Sequence, residues 1–386
     1  MAKRACIVRL CTYPADLLVR REAEALHDGG FEVDVICQHV SGSKVEDTIN
    51  GIHVYRLPIT LAREGAIHYV TGYLHFFFSV AFKLTALHLQ HRYSLIQVNT
   101  MPDFLVFATL IPRLLGARIG LVMYEPMPEL WESLYHNPPI VRLLEIVQRW
   151  AIAYAHTVFA VTQQQKESFV ARGADADKIT VLLNVPETRF WAQFIPGTTA
   201  PKEHFTLICH GRIEERYGHD TMLQAIKRVR DQISDIRLVI LGNGKYVDRL
   251  LAQIKEMELE TSVQYLGWVP LQKMAEELYS ADVGIVAQKS SLYSNLVHTG
   301  KMYDFLAFGK PVLASRLQAV QAYFGEDVLR FFEPDNPQSL AEAILDVYYH
   351  PDKRQALVEN SQRLYNQYKW ENQKEVYLSV YRALLE

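Results

Sequence analysis

Short apolar, β-branched runs alternate along this chain with segments whose apolar residues recur at helical spacing, the pattern of successive parallel βαβ units. In the first half, the runs at 5–11, 31–37, 51–57, 95–99, 119–124, 158–162 and 179–184 predict strands. Residues 19–27 predict a helix stopped by Gly29-Gly30, and 104–115 one stopped by Gly116. Two prolines and small polar residues interrupt the pattern at 194–202, which predicts a linker. The alternation then restarts, with strands at 206–209, 237–241, 263–266, 283–287, 312–314 and 328–332 and helices at 220–232, 247–257, 271–279 and 302–308. A last helix, 370–385, carries Val376, Tyr377, Val380, Tyr381 and Leu384 at helical spacing. The expected fold is therefore α/β, with two Rossmann-like doubly wound domains facing a central cleft. Residues 1–195 form the first domain, 203–368 the second, and 369–386 a C-terminal helix that packs back toward the first. Ligands of parallel sheets bind outside the carboxyl ends of the strands, so chemistry is expected there.

Composition narrows the partners. A chain of 386 residues favours two domains, and 49% hydrophobic with 22% charged residues is an ordinary globular balance. The net charge of -3 supplies no global field for a polyanion, which argues against nucleic acid and makes any phosphate recognition local. Cys6, Cys11, Cys37 and Cys209 are scattered without a C-x-x-C pair, which fits a reduced cytoplasm. The basic start is broken by Arg9 and reads as a first strand, not a leader. The uncharged stretch 65–82, with Tyr69, Tyr73, Phe76, Phe77, Phe78 and Phe82, is short for a bilayer span. It suits either a buried helix or one lying at a lipid interface, with Lys83 and Arg92 meeting anionic head groups in the second case.

Three stretches carry candidate chemistry. In the loop from His210 to Asp220, Gly211 and Gly218 let backbone approach a ligand, Arg212 and Arg216 offer fixed positive charge, and Asp220 can N-cap the next helix. A solvated turn in which Glu214 and Glu215 pair those arginines is the plain alternative. Lys301 and Asp304 stand three apart on one helical face, so an ammonium on phosphate and a carboxylate on ribose hydroxyls can divide a nucleotide between them. A minor surface ion pair explains the same spacing. The turn Leu241-Gly242-Asn243-Gly244 lacks a full dinucleotide fingerprint and serves equally as a generic strand-to-helix turn. No paired-carboxylate motif suggests a divalent metal site.

Taken in order, Tyr13-Pro-Ala-Asp16, Arg20-Arg-Glu-Ala23, Met101-Pro-Asp103, Met127-Pro-Glu129, Asn184-Val-Pro186, Ile213-Glu-Glu-Arg-Tyr-Gly218 and the run from Met302 to Val312 resemble the GT4 family of retaining glycosyltransferases, of GT-B fold. The resemblance implies a metal-independent transferase with no cofactor. It would move sugar from a UDP- or GDP-linked donor to a glycan or lipid-linked acceptor, in surface polysaccharide or glycolipid assembly. It places the donor diphosphate on Arg212 and Arg216, and the ribose on Asp304, where the family has glutamate. Gly211, Gly218, Gly242, Asn243, Thr299, Gly300, Lys301 and Met302 complete the expected donor site.

Three positions depart from the family. Tyr217 stands where the loop usually has lysine, so Arg216 or Lys301 must supply the second charge. Leu296 stands where a sugar-binding glutamate is usual, and His298, Thr299 and Gly300 are the nearby substitutes. Tyr124-Glu125 stands where relatives often carry His-Asp. Glu125, Arg212 and Lys301 are the expected catalytic residues, with Glu129 a second candidate for the acceptor's proton. Two other readings fit the same residues: a nucleotide-sugar epimerase, and a catalytically silent nucleotide-sugar-binding subunit. The expected location is cytoplasmic, with possible peripheral contact at the inner face of a membrane.

Overall fold

A computed structural model describes residues 3–40, 42–59, 66–187, 191, 193–194 and 203–386, with the side chains of 66–70 excepted. The expected linker therefore lies almost wholly outside the described residues. The chain divides into two compact units, residues 1–184 with 371–386, and residues 185–370.

The first unit is built on an eight-stranded sheet of order β3-β4-β2-β1-β5-β6-β7-β8. Its strands are β1 (Arg4–Val8), β2 (Glu32–Gln38), β3 (Glu46–Ile49), β4 (Ile52–Leu57), β5 (Leu95–Asn99), β6 (Arg118–Met123), β7 (Thr157–Ala160) and β8 (Ile179–Val181). All neighbours pair in parallel except β3 with β4. The parallel strands are covered on both faces, which is why they read as continuous apolar runs. The sequence pattern missed β3, whose residues Glu-Asp-Thr-Ile form a half-solvated edge. Asn50 and Gly51, with φ of 52° and 80°, make the hairpin turn that joins it to β4.

Helix α1 (Leu17–Asp28) begins where the Asp16 carboxylate accepts the N–H groups of Leu18 and Val19, and buries Val19, Ala23 and Leu26. Residues 104–115, expected as one helix, form a 3₁₀ stretch over Asp103–Thr109 followed by the short α3 (Leu110–Leu114). Helix α2 (Ala66–His91) lies before them. Helices α4 (Met127–Tyr135), α5 (Pro138–Tyr154) and α6 (Gln163–Ala171) complete this face of the chain order.

A buried polar network joins α1, β5 and the end of the chain. Glu22 accepts from the Gln97 and Asn99 side-chain amides, each at 2.7 Å, and from the Tyr124 hydroxyl. The Gln97 carbonyl oxygen in turn accepts from the hydroxyls of Tyr377 and Tyr381, at 2.6 and 2.7 Å. Those tyrosines are one turn apart on the terminal helix (Trp370–Leu384), so a single central-strand amide fixes the helix to the first unit.

The second unit holds a six-stranded, fully parallel sheet of order β11-β10-β9-β12-β13-β14. The strands are β9 (Phe205–His210), β10 (Ile236–Leu241), β11 (Val263–Gly267), β12 (Val283–Val286), β13 (Val312–Ser315) and β14 (Arg330–Phe332). Helices α7 (His219–Val229), α8 (Val247–Glu256), α9 (Leu271–Ser280), α10 (Lys301–Ala307), α11 (Gln318–Gln321), α12 (Pro337–Tyr349) and α13 (Pro351–Tyr368) follow them, and the terminal helix is α14. Numbered within the unit, the strand order is 3-2-1-4-5-6, so it reverses between β9 and β12.

Candidate active site

The reversal of strand order leaves a crevice where the loops after β9 and β12 part, and the sequence candidates of the second unit gather there. The backbone after β9 is held against the loop after β10. Gly211 donates to Leu241 O and Ile213 to Asn243 O, both at 3.0 Å. This approach requires glycine at Gly242 and at Gly244, where a Cβ would stand 2.1 Å from Ile213 O. A Cβ on Gly242, whose φ is 132°, would stand 1.7 Å from Gly211 O. A Cβ on Gly211, at φ 107°, would meet Lys301 Cε at 2.4 Å.

Gly218, not Asp220, is the N-cap of α7. Asp220 sits inside the first turn, and Lys289 binds its carboxylate at 2.9 Å, which corrects the expected cap. Asn243 is exposed and its side chain accepts from the N–H of Gly244, within its own turn.

Glu214 draws the two loop arginines together, with Arg212 Nε at 2.9 Å and Arg216 Nε at 3.1 Å. The Arg212 side chain is 64% exposed, whereas the Arg216 guanidinium lies over the rings of Tyr217 and Tyr293. The plain alternative of arginine pairing thus holds for Glu214, and any anion entering the loop would compete with that carboxylate for both cations.

Lys301 and Asp304 share a face of α10, but no ion pair joins them among the described residues. The Lys301 stem crosses Gly211 and its ammonium stands 3.7 Å from the centre of the Tyr217 ring. The cation therefore reaches the loop at Tyr217, the position where the resemblance leads one to expect a lysine. Burial, with Arg216 nearby, pushes its pKa down to about 8. One turn on, Asp304 accepts from the Trp191 indole N–H at 2.9 Å and has His210 Nε2 3.6 Å from its other oxygen. Burial pushes the carboxyl up to about 7.

Gly300 precedes α10, Thr299 Oγ1 accepts from Lys301 N at 3.4 Å, and Met302 is packed in the core beneath. Leu296 lies in the loop before them. The His298 side chain is consumed by the core, bonded to the Tyr303 hydroxyl at 2.8 Å and ringed by Tyr323 and Phe324.

The candidates of the first unit have different fates. Glu125 is half-buried just after β6, at the carboxyl end of the sheet. Glu129 is buried and taken up by Arg172 and by Ser168 Oγ at 3.2 Å. Tyr124 is buried in the Glu22 network. Among the described residues, no group of three or more His, Cys, Asp or Glu side chains stands where it would hold a metal ion.

The profile of the glycosyl transferases group 1 family matches residues 193–364, and that of the glycosyl transferase 4-like domain matches 18–184. The chain belongs to the glycosyltransferases of GT-B fold. It is 22% identical over 246 residues to D-inositol 3-phosphate glycosyltransferase of Corynebacterium urealyticum, covering 59% of this chain and 57% of that one. It spans about half the length of the curated relatives it matches, which include glycolipid and polysaccharide transferases. Its fold follows that of a sucrose-phosphate synthase from Thermosynechococcus elongatus, with a TM-score of 0.79, 18% identity and 99% of both chains covered. Anabaena HepE, solved with UDP-glucose, aligns with a TM-score of 0.73 and 16% identity over 98% of this chain and 99% of that one.

Two site residues escaped sequence reasoning. His210 closes β9 directly before the loop glycine, a position that strand-end logic marks. Trp191 lies far from α10 in sequence and carried no motif; only folding brings its indole to Asp304.

Proposed function

We propose that this glycosyltransferase moves a sugar, with retention, from a UDP- or GDP-linked donor to a glycan or lipid-linked acceptor, without a metal. The observation that carries the reading is the placing of Lys301 and Asp304 on one face of α10, unpaired with each other, with the ammonium beside the arginine loop. The diphosphate meets cations and the ribose meets a carboxylate. The bond between the anomeric carbon and the diphosphate breaks as the acceptor oxygen forms its own. Negative charge then grows on the leaving group, where Lys301, Arg212 and Arg216 offset it. Glu125 is the candidate for the acceptor's proton. The names of solved relatives support the donor class, since HepE is described with UDP, with UDP and glucose, and with UDP-glucose.

The test is sugar transfer by the purified full chain in excess EDTA, with UDP- and GDP-sugars and candidate acceptors. Turnover should persist. Loss restored by manganese or magnesium would refute metal independence, acceptor-free sugar conversion would favour an epimerase, and nucleotide binding without any turnover a silent subunit. Asp304→Ala and Arg212→Ala should each remain folded and bind nucleoside diphosphate more weakly, by about 1.5–3 kcal/mol for a charged hydrogen-bond partner. The smaller loss is expected for the exposed Arg212. Unchanged titration curves for both would remove the second unit as donor site.

Acceptor delivery from a membrane is a second part of the proposal, favoured by α2. Phe76, Val80 and Leu84 are buried, while Leu74, Phe78 and Phe82 form an exposed stripe, and α3 adds Leu110 and Leu114. Lys83 does not point to head groups: it is paired with Glu46 at 2.8 Å. No helix among the described residues is long and apolar enough to cross a membrane. The double change Phe78→Ser, Phe82→Ser should abolish sedimentation with anionic liposomes at an unchanged melting temperature, whereas Phe76→Ser should unfold the first unit. Wild-type protein that stays in the supernatant would end the membrane proposal and leave the transferase intact.

A further inference from the structure

We propose that His210 and Asp304 together grip a ribose hydroxyl of the nucleotide, with Trp191 fixing the carboxylate between them. The inference rests on the reading that the second unit binds a nucleotide-sugar donor, and adds to it two residues and a defined mode of contact.

Three observations converge. The His210 side chain ends β9 at the strand-order reversal, is only 6% exposed, and its Nε2 has no hydrogen-bond partner among the described residues. Buried ring nitrogens are normally paired, so an unpaired one this close to the Asp304 carboxylate calls for an explanation. Asp304 Oδ2 is 3.6 Å away, beyond a direct N–H···O bond. Finally, the Trp191 indole occupies Oδ1 at 2.9 Å, and its ring packs edge-on against Phe308 at 5.3 Å, which restrains the carboxylate from turning toward the imidazole.

A hydroxyl group completes this arrangement because it donates once and accepts as well. It gives its proton to Asp304 Oδ2 and accepts from Nε2–H. An ammonium has no acceptor for the imidazole, and a phosphate oxygen has no proton for the carboxylate. The protonation states agree with this chemistry. Burial, with the Lys301 charge beside it, pushes the His210 pKa down to about 3, so the ring is neutral near pH 7 and can carry its proton on Nε2. Phe305, edge-on at 5.1 Å, holds the ring plane. His210 is thus a binding residue, and Trp191 acts through Asp304 as a positioning residue.

The experiment compares UDP, GDP and ADP by calorimetric titration of the full chain, and then the 2′-deoxy and 3′-deoxy forms of whichever binds tightest. In the wild type, at least one deoxy form should bind about tenfold or more weakly, the expected loss for a hydrogen bond to a charged group. In His210→Leu that preference should largely disappear, in His210→Gln it should largely return, and Trp191→Phe should reduce it while preserving packing. If both deoxy forms bind the wild type as well as the ribonucleotide, or if His210→Leu keeps the wild-type preference, the proposal is wrong while the donor site stands. If none of the three diphosphates binds the wild type, the donor reading and this inference fall together. Should His210→Leu melt at the assay temperature, ¹⁵N-histidine spectra of the wild type replace it. One imidazole Nε2 should then shift with the ribonucleotide and not with its deoxy form, and absence of such a shift would overturn the proposal.

Discussion

Lys301→Met is expected to lower turnover at saturating donor by about 10²–10³-fold, the usual effect of removing one preorganised group from a developing charge, or roughly 2.7–4 kcal/mol. Methionine keeps an unbranched apolar stem across Gly211 and against Tyr217, so the change isolates the charge. A fixed cation that matters chiefly when the diphosphate departs should depress kcat more than KM, and steady-state kinetics in both parameters reads this directly. Equal kcat in variant and wild type would remove Lys301 from the leaving-group role. The exchange with the loop can be checked independently, because Tyr217→Lys in the Lys301→Met background returns an ammonium to the place where Lys301 meets the loop and should restore part of kcat.

The same ammonium gives binding and folding opposite responses to pH. Its pKa is about 8 in the folded chain, against an ordinary value of 10.5. Between those values the folded state has released a proton that the unfolded chain still holds, so this group makes stability rise with pH across that window. Nucleotide affinity should fall over the same range as the charge on Lys301 is lost. On the acid side, the Asp304 carboxyl at about 7 must ionise to accept from ribose, so affinity rises with pH there. The groups facing the pair include Arg216, Glu214, Cys209, Tyr217, His210 and His219, and both histidines are already neutral, burial and the Lys301 charge having lowered them to about 3 and about 4. Calorimetric titration from pH 6 to 9 should therefore give a maximum between the two values.

How much of this was legible in the sequence depended on whether the signal was local. Continuous apolar runs marked the parallel strands, and Leu95–Asn99 falls where the pattern placed it. The half-solvated edge strand Glu46–Ile49 has no such run, although Asn50-Gly51 announced its turn. Helices α5 and α12 were also missed, yet each opens with asparagine before proline at its first position. The Asn137 and Asn336 carboxamides do accept helix N–H groups. In the site, the i, i+3 spacing gave the shared face of Lys301 and Asp304. What spacing could not give was their surroundings: the Tyr217 ring beneath the ammonium, and Trp191 and His210 around the carboxylate, all come from elements distant in sequence.

The largest stability effect is expected at Glu22. Glu22→Ala removes the acceptor for the Gln97 and Asn99 amides and the Tyr124 hydroxyl at once, and leaves the buried Arg21 without its adjacent carboxylate. Breaking a buried charged network from one side costs about 3–5 kcal/mol, a large share of a domain's total stability. Tyr381→Phe deletes one hydroxyl from the same network. Gln97 Oε1 keeps its bond from Tyr377, so the loss should be only about 1 kcal/mol. The chain has two compact units, so a melting temperature does not say which of them has loosened, and hydrogen exchange followed peptide by peptide is the suitable measurement. Glu22→Ala should strip protection from β5 and from α14 together, since Gln97 links them, while the sheet of the second unit keeps its protection. Retention of wild-type exchange in α14 would mean that apolar packing of Tyr377, Leu378 and Tyr381 alone secures the helix. The Glu22 network would then have no part in fastening the end of the chain to the first unit.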